Sequence, residues 1–264
     1  MKRRIFKRLI SVILILSMIS INFIFVSANS SKQTYKVNEN GETYGNDIQA
    51  MTIGYEPDLI YAQGIDGTLG YVKASDLSGN EKSPAEALQK QMLREKSDSA
   101  MYIPLYMSDG ETIIGSFKLE NTIPVTDSII KQSNVGLFAA PSGYAYGVAY
   151  NVTCSGITFS IKSGVKGEST GIRAVSYIQA NSGTAPAGYM GAQARIYKYD
   201  TGALVKSSNW EYTKTAQSSF YVETFWFSVT NSAYYSKGLT REFNTAISDY
   251  WTHTTNASPN ATPG

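Results

Sequence analysis

A chain of 264 residues with one cysteine and one histidine has room for two modest domains, but no intramolecular disulfide and no zinc site built from several Cys and His ligands. Its formal charge of +2 rests on Lys2, Arg3, Arg4, Lys7 and Arg8; taking these five from the 23 basic residues leaves 18 against 21 acidic ones, a net of −3. Nucleic-acid binding through clustered Lys and Arg therefore loses its support.

The five basic residues precede an uncharged, largely apolar run from Leu9 to Val26, and Val26-Ser27-Ala28 places small residues where a signal peptidase cuts. The pattern predicts a signal peptide over 1–28, cleavage after Ala28 and a secreted, extracellular protein with no membrane span. The rival is a retained anchor, because about 18 apolar residues is near the lower limit for a spanning helix. No positive stop-transfer cluster follows. Cys154 lies far from the cleavage site, which removes a lipid anchor on a new N-terminal cysteine.

Residues 29–42 are polar and aperiodic, and read as a flexible lead-in. From 43 to 120 the pattern predicts a small α+β module. Leu59 to Ile65 and Leu69 to Ala74 flank Asp66-Gly67, a hairpin signal in which glycine takes the left-handed position cheaply. Ser83, Pro84 and Glu86 supply N-cap, N1 and N3 of a helix running to about Lys96, with Ala87, Leu88 and Met92 on its apolar side. Tyr102 to Tyr106 and Thr112 to Phe117 flank Ser108-Asp109-Gly110, a second hairpin, and Pro104 confines its strand to an edge or a start.

These residues carry a resemblance. Glu56-Pro57-Asp58-Leu59-Ile60, Asp66-Gly67-Thr68 with Gly70-Tyr71-Val72, Asp76-Leu77, the Pro84-x-Glu86-Ala87 helix, Ile103-Pro104-Leu105-Tyr106 and Asp109-Gly110 with Ile114-Gly115-x-Phe117 are similar to a module of uncharacterised secreted proteins of low-GC Gram-positive bacteria, over roughly residues 43–119. The resemblance implies export and a Gram-positive source, and brings no activity or ligand.

Residues 121–143 break the periodicity with Pro124, Gly136 and Pro141 and read as a linker. Charge divides on either side. Residues 29–130 carry 8 basic and 15 acidic groups, residues 131–264 carry 10 and 6, which supports two modules. Beyond the linker, eight short strand-like runs between 144 and 255 predict an all-β sandwich, with a barrel as second choice. Tyr144, Tyr146, Val148, Tyr150 and Val152 alternate with small or polar residues, and Ile157, Phe159 and Ile161 alternate with Thr158, Ser160 and Lys162. The run from Gly188 to Trp210 is the plainest hairpin, with Met190, Ala192, Ala194 and Ile196 facing a core and Asp200-Thr201-Gly202 making the turn. Phe220, Tyr221, Phe225, Trp226 and Phe227 make the run from Ser219 to Val229 aromatic on both faces. Residues 256–264 read as a disordered tail.

No catalytic set is visible. His253 lies close to the C-terminus and reads as a partly exposed strand residue; Cys154 reads as a small strand residue. The remaining acid–base option is a carboxylate pair, Glu211 with Glu223 or Glu56 with Asp58, as in sugar hydrolysis. Asp66, Asp76 and Asp109 sit where Asp bonds its own backbone, with calcium as a remote alternative. No nucleotide loop is present, and neither a cofactor nor a metal site is expected. What stands out is the aromatic inventory of the second half, where Arg195, Tyr197 and Tyr199, together with Gln193, share one side of a strand and make a candidate binding face. The competing reading covers that face with a second sheet and makes Tyr197 and Tyr199 core. The sequence thus predicts a secreted, non-enzymatic binding protein acting at or outside the cell envelope on a glycan, an anionic polymer or another protein. The alternatives are an envelope hydrolase and an antimicrobial or toxin-like factor.

Overall fold

The hairpins expected around Asp66-Gly67 and Asp109-Gly110 are both present in the computed structural model, which describes residues 33–97, 100–122, 140–169, 171–226 and 232–263. The chain divides into residues 1–33 and 34–264. Of the first only Gln33 is described, so the expected signal peptide and its cleavage site lie outside the described residues, as do most of the expected linker and the Phe227 to Val229 end of the aromatic run.

Residues 34–264 are mainly β. The first half holds β1 (Lys36–Val37), β2 (Thr43–Gly45), α1 (Asp47–Ile53), β3 (Leu59–Gln63), β4 (Leu69–Lys73), α2 (Ala74–Leu77), α3 (Pro84–Ser97), β5 (Met101–Tyr106) and β6 (Ile113–Glu120). After it come β7 (Ala145–Tyr146), β8 (Tyr150–Cys154), β9 (Ile157–Glu168), β10 (Gly171–Ala180), β11 (Met190–Gln193) and β12 (Arg195–Lys198). The chain ends through β13 (Leu204–Ser208), β14 (Glu211–Tyr212), β15 (Ser219–Glu223), β16 (Tyr234–Ser236), β17 (Leu239–Asn244) and β18 (Asp249–Thr254). Among the described residues no helix is long and apolar enough to cross a membrane.

Local chemistry accounts for the turns and caps. Gly67 takes φ +87° in the β3–β4 turn, while Asp66 Oδ1 accepts from the Thr68 N–H at 3.0 Å. Ser83 Oγ accepts from the Glu86 N–H at the start of α3, and the Glu86 carboxylate accepts from the Lys82 N–H, one residue earlier than a capping box requires. The buried side of α3 is Ala87 with Gln91 rather than Met92, which is 53% exposed; Gln91 Oε1 accepts from the Tyr212 N–H at 2.8 Å. The backbone donor of Tyr212, at the end of β14, makes a polar side chain the better fit there. α1 was not expected. Its signal is Asn46 and Gln49, which cap each other's backbone N–H at 3.0 Å.

Three sheets form. The largest runs β1-β2-β3-β4-β5-β6-β13-β12-β16, and a further β3–β13 pairing closes part of it into a ring. A second has the order β15-β10-β9-β7, with β8 pairing the other half of the same β9 edge. The third runs β14-β11-β17-β18. The sequence on either side of the expected linker is therefore stitched into one sheet, because β6 pairs in parallel with β13 at Ser207 and Ser208 and β3 meets it at Leu204. Ring residues Ile60, Val72, Leu105, Phe117 and Leu204 pack with Tyr197 and Tyr235. Val165, Ile172 and Ala174 of the second sheet pack on Ile196, Val205 and Tyr234 of the first, which gives the layered, sandwich-like arrangement.

Two expectations about the ends are corrected. The lead-in from Tyr35 onward is docked, since Tyr35 is 5% exposed and Asn38 Nδ2 donates to Asp109 O at 2.9 Å. Its polar residues satisfy carbonyls of the neighbouring turn, so no apolar period was needed. The expected tail lies along β16, where Tyr234 and Ala261 exchange backbone bonds of 2.8 and 2.9 Å and Ser258 Oγ accepts from the Ser236 N–H. Pairing to a strand needs backbone groups, which composition does not reveal.

Candidate functional site

The run β11–β12 has both faces buried. Met190, Ala192, Ala194 and Ile196 are each 0% exposed, as the alternation predicted. The opposite side, expected to meet solvent, is covered by the first half of the chain. Gln193 donates to Leu77 O at 3.1 Å and accepts from Arg195 Nε at 2.9 Å. Arg195, 1% exposed, donates from Nη1 to both Glu56 carboxylate oxygens at 2.8 and 3.1 Å. Burial works against the guanidinium charge, yet Glu56 and Tyr197 hold its pKa above the ordinary value. Tyr197, 0% exposed, stacks on Tyr235 with ring centres 5.5 Å apart. Tyr235 in turn donates to Asp47 at 2.9 Å, and Lys237 Nζ reaches the same carboxylate at 2.7 Å. Of the three expected binding residues only Tyr199 is exposed, and it packs edge-on against Tyr235. Arg195, Tyr197 and Tyr199 therefore make no surface site: the polar side of β12 is polar because it meets the carboxylate of Glu56 and the Tyr235–Asp47 pair rather than open water.

The expected carboxylate pairs do not converge. Glu56 holds Arg195, while Asp58 accepts from Thr43 N and Oγ1 at 2.8 and 2.7 Å. Glu211 on β14 sits 3.4 Å from Arg94, and burial pushes its carboxyl up to about 7. Glu223 belongs to a different sheet, where it meets Arg173 at 3.3 Å and accepts from Tyr144 Oη at 2.9 Å. Cys154 ends β8 as a buried thiol whose pKa burial raises. His253 is half-buried with Nε2 3.3 Å from Glu242 Oε2, and burial lowers its pKa.

An aromatic and cationic face does exist, on the outer side of the second sheet. In β9, Phe159, Ile161 and Val165 turn to the core, so period-2 alternation sends Thr158, Ser160, Lys162, Gly164 and Lys166 outward. Register then builds rows across the strands. Asn151, Ser160, Gln179 and Ser219 form one; Lys162, Tyr177 and Tyr221 form the next; Tyr146, Gly164, Val175 and Glu223 form a third. The rows are about 7 Å apart along the strands.

Gly164 shapes the centre. A Cβ there would lie 2.8 Å from Tyr146 Cδ1, so only glycine lets that ring lie down on the sheet. The ring meets Lys162, whose Nζ is 4.2 Å from the Tyr146 centroid and 5.3 Å from that of Tyr177. Tyr177 is the buried floor and donates to Gln179 Oε1 at 2.9 Å; Tyr146, Lys162 and Tyr221 are half-buried. Burial alone lowers the Lys162 pKa, and among the described residues its ammonium has no hydrogen bond or ion pair. Burial raises the phenols too, that of Tyr221 to about 12. Beyond this centre Arg173 stacks over Trp226 at 4.6 Å while paired to Glu223. The face thus offers rings, hydroxyls and amides with one cation that lacks an anion. Sequence reasoning read the β9 alternation but passed over these residues; the signal was Lys162 on the polar side of β9 with Tyr177 and Tyr221 on polar sides of their own runs.

Comparison with protein-family models, with curated proteins and with solved structures returns no match.

Proposed function

We propose that this is an exported, non-catalytic binding protein that holds an extended, negatively charged glycan polymer of a bacterial envelope on the outer face of the sheet β15-β10-β9-β7. The observation that carries the reading is Lys162, a half-buried ammonium lying against Tyr146 and over Tyr177 with no carboxylate partner among the described residues. A desolvated cation gains from an incoming phosphate or carboxylate. The Tyr146 and Tyr221 rings offer apolar surface with a polar tip to sugar faces, and the row from Asn151 to Gln179 supplies amide and hydroxyl partners. Export rests on the basic and apolar N-terminal pattern.

The test is sedimentation of the purified protein with cell wall, before and after its anionic polymers are extracted. Binding that falls on extraction and on Lys162→Met supports the reading. Binding indifferent to both refutes it.

A further inference from the structure

A second concavity, independent of the sheet face, lies where α2, α3 and the strand ends of both halves of the chain meet. It is a cleft of about 340 Å³ walled by Asp76 and Leu77 of α2, Leu93 and Arg94 of α3, Met101 of β5 and Leu119 of β6. That volume is within the range of small-ligand sites. Leu77 and Leu119 are buried at its base, while Leu93 and Met101 are 59% and 43% exposed at its rim.

The charges around it are matched, with one exception. Glu81 accepts from Tyr212 Oη at 3.1 Å and pairs with Arg241 at 3.2 Å. Lys90 sits 3.2 Å from Glu86 and donates to Asn80. Arg94 donates to Trp210 O and sits 3.4 Å from Glu211. Asp76 alone makes no hydrogen bond or ion pair among the described residues, and its Oδ2 is shielded from solvent. Its carboxyl is raised by burial, which Lys73 only partly offsets; Lys73 is itself held 3.2 Å from Glu42. On the α3 wall Arg94 Nε is also buried without an acceptor among the described residues.

We propose that this cleft binds the basic side chain of a peptide, with Asp76 taking the ammonium on Oδ1, the oxygen that is not shielded, and the Leu93–Met101 rim holding the methylene stem. A half-buried carboxylate with one oxygen shielded and no partner is poorly compensated, and a charge-assisted hydrogen bond from an ammonium relieves it. A divalent cation, which needs six or more oxygens, is not provided for: Glu81 is already paired with Arg241, and Lys90 and Arg94 stand in the same lining. An anionic ligand is disfavoured because Lys90 and Arg94 already have carboxylates while Asp76 would repel it.

The experiment titrates the full folded chain with Nα-acetyl-lysine N-methylamide, followed by NMR, with Nα-acetyl-norleucine N-methylamide as the probe lacking the ammonium. The lysine probe binds with a dissociation constant on the order of a millimolar. It binds at least about tenfold more weakly to Asp76→Asn, and the norleucine probe binds wild type at least about tenfold more weakly. Leu93→Arg, at an exposed rim position that does not threaten folding, weakens the lysine probe as well. Equal binding of the two probes, or lysine affinity unchanged in folded Asp76→Asn, overturns the proposal, as does the absence of any binding. None of these outcomes bears on Lys162, so the two sites fail or stand separately.

Discussion

Arg195 and Glu56, 139 residues apart in the chain, meet with Nη1 2.8 Å from Oε1 in a place where the arginine keeps only 1% of its surface exposed. The contact ties the central run β11–β12 to the loop before β3. Removing either partner leaves the other charge where water reaches it only in part or not at all. Arg195→Ala is expected to lower stability by on the order of 3 kcal/mol, toward the low end for a broken buried pair because Glu56 keeps some contact with solvent. In urea unfolding, Arg195→Met with Glu56→Gln should recover most of that loss.

The two tyrosines that follow should separate sharply. Tyr197→Ala empties a fully buried site against Tyr235 and should cost about 3–5 kcal/mol. Tyr199→Ala, at a position 56% exposed, should stay within about 0.5 kcal/mol. Thermal melts of the two variants read the difference directly.

The elements with internal periodicity were legible in the sequence: the two hairpins, α3, and the strands from β7 to β18 fall close to where alternation and turn residues put them. The Met190, Ala192, Ala194 and Ile196 side was legible for the same reason. What covers the other side of that strand was not. Gln193 and Arg195 look like solvent-facing residues, because alternation reports polarity and cannot tell water from the half-buried carboxylate supplied by Glu56. The joining of the two halves was hidden likewise, since β6–β13 pairing is made of backbone bonds between distant segments. The candidate site was half legible. Lys162 was placed on the polar side of β9, but only register shows it opposite Tyr177 and close to Tyr146.

The pairing of the C-terminal stretch with β16 predicts that truncation is felt. Deleting residues 258–264 removes the bonds at Ser236 and Tyr234 and uncovers that strand. The melting temperature should fall by several degrees, and hydrogen exchange at Tyr234 and Ser236 should quicken. An unchanged melt would mean the stretch contributes nothing.

Glu242 gives a pH test. Burial pushes its carboxyl up to about 8, against a hydrogen bond from Thr240 that lowers it. Between the ordinary value of 4.5 and about 8 the folded state binds more protons than the unfolded one, so stability falls as pH rises through that window. The slope from this group is at most about 1.4 kcal/mol per pH unit. His253, lowered by burial, acts with the opposite sign, losing stability as pH falls below about 6.5. The Glu242 effect is therefore cleanest above that pH, where Glu242→Gln should gain stability over wild type as pH rises to 8. Parallel pH profiles for the two proteins would rule it out.

Lys162→Met is the substitution that addresses the sheet face most directly, because it keeps the stem against Tyr146 and Tyr177 and removes only the charge. Since burial already disfavours the ammonium, the variant should melt at or slightly above the wild-type temperature. The decisive measurement is the dissociation constant for purified cell wall carrying its anionic polymers, for wild type and Lys162→Met. Lys162→Met should bind at least about tenfold more weakly with its fold intact; equal affinity of the two folded proteins would remove Lys162 from the site.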